Sequence, residues 1–374
     1  MPRSSLLFGL ALFAAAPVAA QRSDALYPRI NVLSGFEIRA FSFDSGLSVE
    51  RASQWHVPIV FVTPVGRRLS VDLSTSYVGS TLKTSGGTTE TINGFSDTQL
   101  RFLYTLQRDR LATSLLLNLP TGHHSVSTSQ FAVSGAVGSN FLSFPVSGLG
   151  TAFGVTGGLA YAARAGAWNL GLAGSVRYLG SYEPFSDAGA TYSPGLETRL
   201  RAGFDRLLGS RSRLLIGFTG STFSTDEYSG SAGIVDASNY KPGTRFIGDL
   251  GFVHVAGRTT IVLSAWDYMR LAGHQADTTA TETKENVLSV ELRAAFPAGV
   301  RVRLEPMVAF RQYNPAAGLG GRLYSGGVTA YLGLTDHLSG QVGGRFDRGW
   351  VVGQAGGFAH LTGLGATVLL RYQR

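Results

Sequence analysis

The sequence predicts an all-β protein, a transmembrane up-and-down antiparallel β-barrel of about sixteen strands, with fourteen as the alternative count. Three observations carry that prediction. Apolar and polar residues alternate with period two along nearly the whole chain. Very short connections alternate with longer, polar ones. Charged residues make up only 15% of the chain, against roughly 25% in soluble proteins, so something other than water faces much of the surface.

The chain begins MPRSSLLFGLALFAAAPVAAQ. Arg3, the apolar run from Leu6 to Ala16, and Val18 and Ala20 before Gln21 have the order of a removable secretory signal. Residues 1–20 are therefore read as a signal peptide and 21–374 as the barrel, with the stretch from Gln21 to Pro28 too short for a plug domain. No later apolar run reaches the 18 residues a helical span needs. Barrel strands need only about 9–11 residues and alternate instead. The chain has no Cys, which excludes a disulfide framework and a thiolate metal site. Its net charge of +8 is not gathered into any basic run longer than two residues, so no nucleic-acid partner is expected.

Strands are expected over 29–42, 55–65, 68–83, 97–107, 110–121, 151–164, 167–182, 193–207, 212–225, 243–256, 258–271, 285–297, 300–313, 322–335, 337–347 and 358–374. Short turns such as Arg108-Asp109, Gly209-Ser210 and Ala256-Gly257 would lie at one end. Longer loops over 43–54, 84–96, 123–150, 183–192, 226–242, 272–284, 314–321 and 348–357 would lie at the other. Short periplasmic turns and long external loops are the arrangement of an outer-membrane barrel, and an even strand count puts both termini in the periplasm. A soluble sandwich would carry Lys-rich outward faces, whereas Lys is rare here and sits mostly in loops.

GFSDTQLRFLYTLQRDRLATSLLLNLPTG, from Gly94 to Gly122, shows the register. With Arg108-Asp109 as the turn, Leu106 faces Leu111, Tyr104 faces Thr113, Phe102 faces Leu115, Leu100 faces Leu117 and Thr98 faces Leu119. That face is apolar. The other carries Asp97, Gln99 and Arg101. A slip by one residue would turn Arg101 into lipid at about 2–4 kcal/mol near the midplane.

Extended along the chain, the same parity gives the lumen-lining candidates Glu37, Arg39, Asp97, Gln99, Arg101, Arg177, Glu197, Arg199, Arg201, Asp205, Asp249, Glu291, Arg293, Arg303, Glu305 and Arg311. Rings of charge in a channel select ions by sign. For any single residue the plainer role is a paired charge that braces the wall, and the near balance of the two signs predicts weak selectivity, with a slight anion preference at most. Residues 123–150 are apolar for an external loop. Phe131, Val133, Phe141, Leu142 and Phe144 could fold inward as a constriction, or the segment could extend the strands above the membrane.

The hairpin also resembles the G-x-x-D-x-x-L…Y-x-L…L-x-L-P-T-G hairpin of the outer-membrane transporter family named for the MetA pathway of phenol degradation. The matching residues are Gly94, Asp97, Leu100, Tyr104, Leu106, Leu117, Leu119, Pro120, Thr121 and Gly122. The resemblance implies an outer-membrane barrel that passes small, apolar or aromatic molecules. The end of the chain, LLRYQR, departs from the terminal aromatic of many such barrels.

No cofactor, metal or catalytic group is expected. His123 and His124 are adjacent without a third ligand, the other histidines are isolated, and no G-x-S-x-G elbow occurs. The expected contacts are outer-membrane lipids, the barrel-assembly machinery and small solutes. The sequence thus predicts a non-enzymatic channel or diffusion transporter. A closed-lumen scaffold or adhesin is the first alternative and a barrel hydrolase the second.

Overall fold

The computed structural model describes residues 30–44, 46–106, 110–230, 239–275, 284–315, 320–352 and 357–374. The signal-peptide segment over 1–20 and the Arg108-Asp109 turn lie outside the described residues.

Sixteen antiparallel strands close into one barrel. They are β1 (Asn31–Phe43), β2 (Val49–Val65), β3 (Leu69–Thr84), β4 (Thr89–Phe95 and Thr98–Leu106), β5 (Leu111–Leu119), β6 (Gly154–Ala165), β7 (Trp168–Leu179) and β8 (Glu197–Leu208). Then follow β9 (Ser212–Phe223), β10 (Arg245–Ala256), β11 (Thr259–Arg270), β12 (Glu285–Pro297), β13 (Val302–Pro315), β14 (Gly321–Gly333), β15 (Leu338–Val352) and β16 (Phe358–Gln373). Each pairs with its neighbours in sequence. β16 returns to β1, from Asn31 opposite Gln373 to Phe43 opposite Leu361, which closes the wall. Closure leaves no unpaired edge, as a bilayer requires.

Period two decides which side chain meets which medium. On the outer wall Leu172, Leu200 and Leu364 are 63%, 67% and 63% exposed. Phe36, Ile59, Phe61, Leu115, Phe218, Val308 and Phe346 are exposed beside them. A continuous apolar belt of this kind is buried when the barrel sits in lipid. Short turns need a left-handed residue, and Gly166 (φ 60°) and Gly257 (φ 62°) provide it.

All the expected strands are present, but several reach further than predicted. β2 begins at Val49, inside the expected loop over 43–54, and β15 runs on to Val352. The expected loop over 84–96 is instead a tight turn followed by Thr89–Phe95, which pairs with Tyr77–Lys83 of β3. Small outer sheets join Ala190–Ser193 to Glu227–Gly230 and Tyr240–Lys241 to His274–Gln275. These pieces rise beyond the apolar belt, where neither face must be apolar, so the alternation that marks a membrane strand fades.

The segment over 123–150 does not extend the strands. It carries a short helix, α1 (Phe131–Val137), that the sequence's lack of a 3.6 period did not predict. Val133, Val137, Phe141, Leu142, Phe144 and Leu149 are buried in one cluster with Phe41, Ala52, Val78, Leu82, Ile92, Leu323 and Leu361 of the wall. The wall residues lie on the lumen face near the long-loop end. The core of this barrel is therefore inside its own lumen.

Candidate functional site

The lumen is built by parity, one inward residue in two, and its charges are mostly paired. Arg101 bonds Asp72, its cross-strand partner. Glu197 takes Arg199 at 2.5 Å and Arg177 at 3.7 Å. Arg201 reaches Asp249 at 2.8 Å from two strands away. The space between them is Gly217, where a Cβ would stand 2.2 Å from Asp249 Oδ2 and 2.5 Å from Arg201 Nη2. Asp205 is held by two parallel bonds from Arg213, both 2.7 Å. Arg293 bonds Glu291 and lies 3.8 Å from Glu305. His56 Nε2 is 3.5 Å from Glu37. Arg303 lies over the Tyr331 ring, and Gln99 is exposed to the lumen.

The inward loop is tied to the wall by polar anchors. Asp97 accepts four hydrogen bonds, from Asn118 Nδ2 (2.7 Å), Gly122 N (3.2 Å), Thr151 N (2.7 Å) and Thr151 Oγ1 (2.9 Å). Gly122 starts the loop and Thr151 ends it, so one carboxylate gathers both ends. The chain passes itself closely here. A Cβ on Gly122 would meet the Leu149 carbonyl at 2.1 Å.

Gln54 then pairs with Val146 in both directions, through Nε2 to the carbonyl (2.8 Å) and from the amide to Oε1 (2.9 Å). Arg39 donates to the Ser143 carbonyl (2.6 Å) and Arg311 to that of Phe141 (2.8 Å). Asp347, wholly buried, receives Arg39 at 3.3 Å and Arg345 at 2.8 Å, and accepts a hydrogen bond from Ser325. Buried charges of this kind persist only when paired and hydrogen-bonded.

The structure thus divides the predicted lumen residues into two sets. Arg39, Asp97 and Arg311 hold the loop. Arg177, Arg199, Arg201 and Asp249 lie on the opposite wall, where Arg177 is 40% and Asp249 34% exposed to the lumen. Four of the five constriction candidates, Val133, Phe141, Leu142 and Phe144, lie within the buried cluster. Phe131 does not. It is 58% exposed and packs edge-to-face on Phe185 at the mouth.

Sequence reasoning missed Gln54, Arg345 and Asp347. Gln54 fell in an expected loop and Asp347 at an expected strand end. The parity of their neighbours, continued a few residues outward, would have found both. Among the described residues no group of three His, Asp or Glu could hold a metal ion.

The closed wall, apolar belt and charged interior define a transmembrane β-barrel of the outer-membrane type. No family model matches the chain, and no curated protein does. Solved structures share its outline. The anion-selective porin from Comamonas acidovorans is 10% identical, with 92% of this chain and 98% of that one covered and a TM-score of 0.44. The outer membrane channel DcaP of Acinetobacter baumannii is 11% identical, with 92% and 97% covered and a TM-score of 0.43. A loop-deletion mutant of OmpT, an outer membrane protein of Vibrio cholerae, is 8% identical, with 92% and 99% covered and a TM-score of 0.43. At these values the similarity adds nothing to what the barrel itself shows.

Proposed function

We propose that the chain is an outer-membrane channel for the passive diffusion of small solutes. One observation carries the reading. The inward loop packs against β1–β4 and β14–β16 and is hydrogen-bonded to Glu285 of β12 and Arg311 of β13, while charged side chains on β7, β8 and β10 remain exposed to the lumen. A barrel of about sixteen strands encloses an aqueous lumen unless it is filled, and a loop seated on one side narrows it without needing to close it. The loop sets the size limit and the exposed wall sets the field a solute meets. The leader over 1–20 directs export, and the hairpin resemblance favours small apolar or aromatic solutes.

The apolar cluster within the lumen favours a second reading, a closed barrel that serves as a surface scaffold. Planar-bilayer recording of the purified protein separates the two. Discrete conductance steps are expected from the channel, and a silent, correctly folded barrel would leave only the scaffold.

A further inference from the structure

The strand charges are near balance, but the turns at the periplasmic end are not. Taken hairpin by hairpin, Arg67 and Arg68 stand between β2 and β3, and Arg110 opens β5. Arg164 closes β6, Arg211 stands between β8 and β9, Arg258 between β10 and β11, and Arg301 between β12 and β13. All of these are exposed. The β14–β15 turn carries His337 beside Asp336, and Arg371 and Arg374 end the chain at the same rim. The arginines therefore stand one or two to a turn around the opening, at every turn but that between β14 and β15, instead of forming a patch.

Several of them continue the lumen face, although Arg67 and Arg374 fall on the opposite parity. Arg68 extends the register of Ser70 and Asp72, which bond one another. Arg110 extends that of Ala112 and Ser114, and Arg301 that of Arg303. Arg371 stands opposite Leu33 on the same face. Two of the ring are steadied by main-chain carbonyls that leave the charge intact. Arg164 donates to Gly166 O (3.1 Å) and Arg301 to Leu334 O (3.1 Å).

The acids nearby are already engaged. Asp205 is held by Arg213 and Asp72 by Arg101, which leaves Asp336 as the one acid in these turns among the described residues. The opposite rim mixes the two signs, with Asp44, Glu50, Glu90, Glu183, Asp187 and Glu227 beside Arg51, Lys83, Lys241, Lys284 and Arg348, and Lys83 pairs with Glu50 at 2.9 Å.

We infer that the periplasmic mouth is an arginine ring that makes the channel prefer small anions, inorganic anions and carboxylates sharing the chemistry. The inference rests on the channel reading above. A ring of one sign around a low-dielectric opening focuses the field and raises the local concentration of counter-ions. The half-exposed Arg177 and Arg201 lie further along the same passage. Exposed charges are screened within about 8 Å at physiological salt, so the preference must weaken as salt rises. The strand count alone misses the ring because its members lie in turns.

The test is the reversal potential of the full-length protein in planar bilayers under a potassium chloride gradient. Chloride is expected to permeate at least about threefold better than potassium in dilute salt, and less selectively near 1 M. Arg68→Gln, Arg258→Gln and Arg301→Gln together are expected to lower the ratio about twofold or more. Lys241→Gln at the opposite rim is expected to leave it unchanged. Heat-modifiable mobility of each variant shows that its barrel has formed. Steps without anion preference, or a ratio the triple variant does not move, overturn the ring and leave the channel standing. No steps from the folded wild type sink the channel and the ring with it.

Discussion

Asp97→Ala is the most direct perturbation of the inward loop. The carboxylate receives main-chain amides from both ends of the loop, Gly122 and Thr151, and side-chain donors from Asn118 and Thr151. A hydrogen bond to a charged acceptor contributes about 1.5–3 kcal/mol. The four do not simply add. Asn118 keeps Thr151 Oγ1 and the Ala152 carbonyl as partners, and the site is half-buried, so water compensates part of the loss. The two amides are the donors left without an acceptor, which puts the loss near 3 kcal/mol. That is about a 150-fold shift in the equilibrium between docked and undocked loop.

Hydrogen exchange of the Gly122 and Thr151 amides in detergent micelles reads that shift without assuming that the protein conducts. Both are expected to lose about two decades of protection while β8–β12 amides keep theirs. In bilayers the same variant is expected to show larger or noisier conductance. Unchanged protection at Gly122 and Thr151 would refute the role given to Asp97. Loss of protection throughout the barrel would show that Asp97 serves the wall and not the loop.

Three further outcomes are expected. Phe144→Ala removes the ring packed edge-to-face on Phe41 at 5.5 Å and should weaken loop docking by about 3–5 kcal/mol, read as faster exchange at Val146, whose amide bonds Gln54. Leu200→Arg places a charge on the lipid-facing wall and should destabilise the folded barrel by about 2–4 kcal/mol in a urea titration, whereas Gln99→Arg at an exposed lumen position should cost less. Asp187 lies in an external loop, and hydrogen bonds from the Thr128 amide and then the Thr128 hydroxyl hold its carboxyl below the usual carboxylate range. Its contribution is therefore present above the ordinary carboxylate pKa and lost as pH falls through the lowered one. Exchange at Thr128 should accelerate in that acid window, and Asp187→Asn should abolish the dependence.

How far the sequence could be read depends on which medium each residue meets. Within the apolar belt a residue must suit lipid or lumen, so parity is enforced at every position. Thr98 opposite Leu119, Phe102 opposite Leu115 and Leu106 opposite Leu111 are the partners the alternation picks out, and they are the partners in the barrel. Above the belt neither face meets lipid. There Val49-Glu50-Arg51-Ala52-Ser53-Gln54 extends β2 without a strict period, and Gln54 becomes an anchor that only the three-dimensional register reveals. The inward loop is harder still. Its apolar residues follow no period because they answer to a concave wall made of strands far apart in sequence, with Phe41, Leu323 and Leu361 meeting Phe141 and Phe144. The hairpin motif nevertheless contained the loop's tether. Asp97, Thr121 and Gly122 are motif residues, Thr121 Oγ1 accepts the Thr98 amide (2.9 Å), and the Gly122 amide donates to Asp97.

The tether and the ion pairs together explain why so charged an interior suits a passive barrel. Asp347 is wholly shielded from solvent, and Arg39 beside it nearly so. Replacing Asp347 alone would leave Arg39 and Arg345 facing one another without a carboxylate, and unpaired buried charge costs several kcal/mol. On the open wall the same chemistry has the opposite consequence. Arg177, Arg201 and Asp249 remain wet, so their pairing contributes little stability but leaves partial charge facing whatever enters. Burial by the loop turns one part of the lumen into a brace and leaves the other part exposed. On the channel reading proposed above, loop position couples stability to permeation. Variants that free the loop, such as Asp97→Ala, should widen the passage and weaken the Arg39–Asp347 side of the wall in the same measurement.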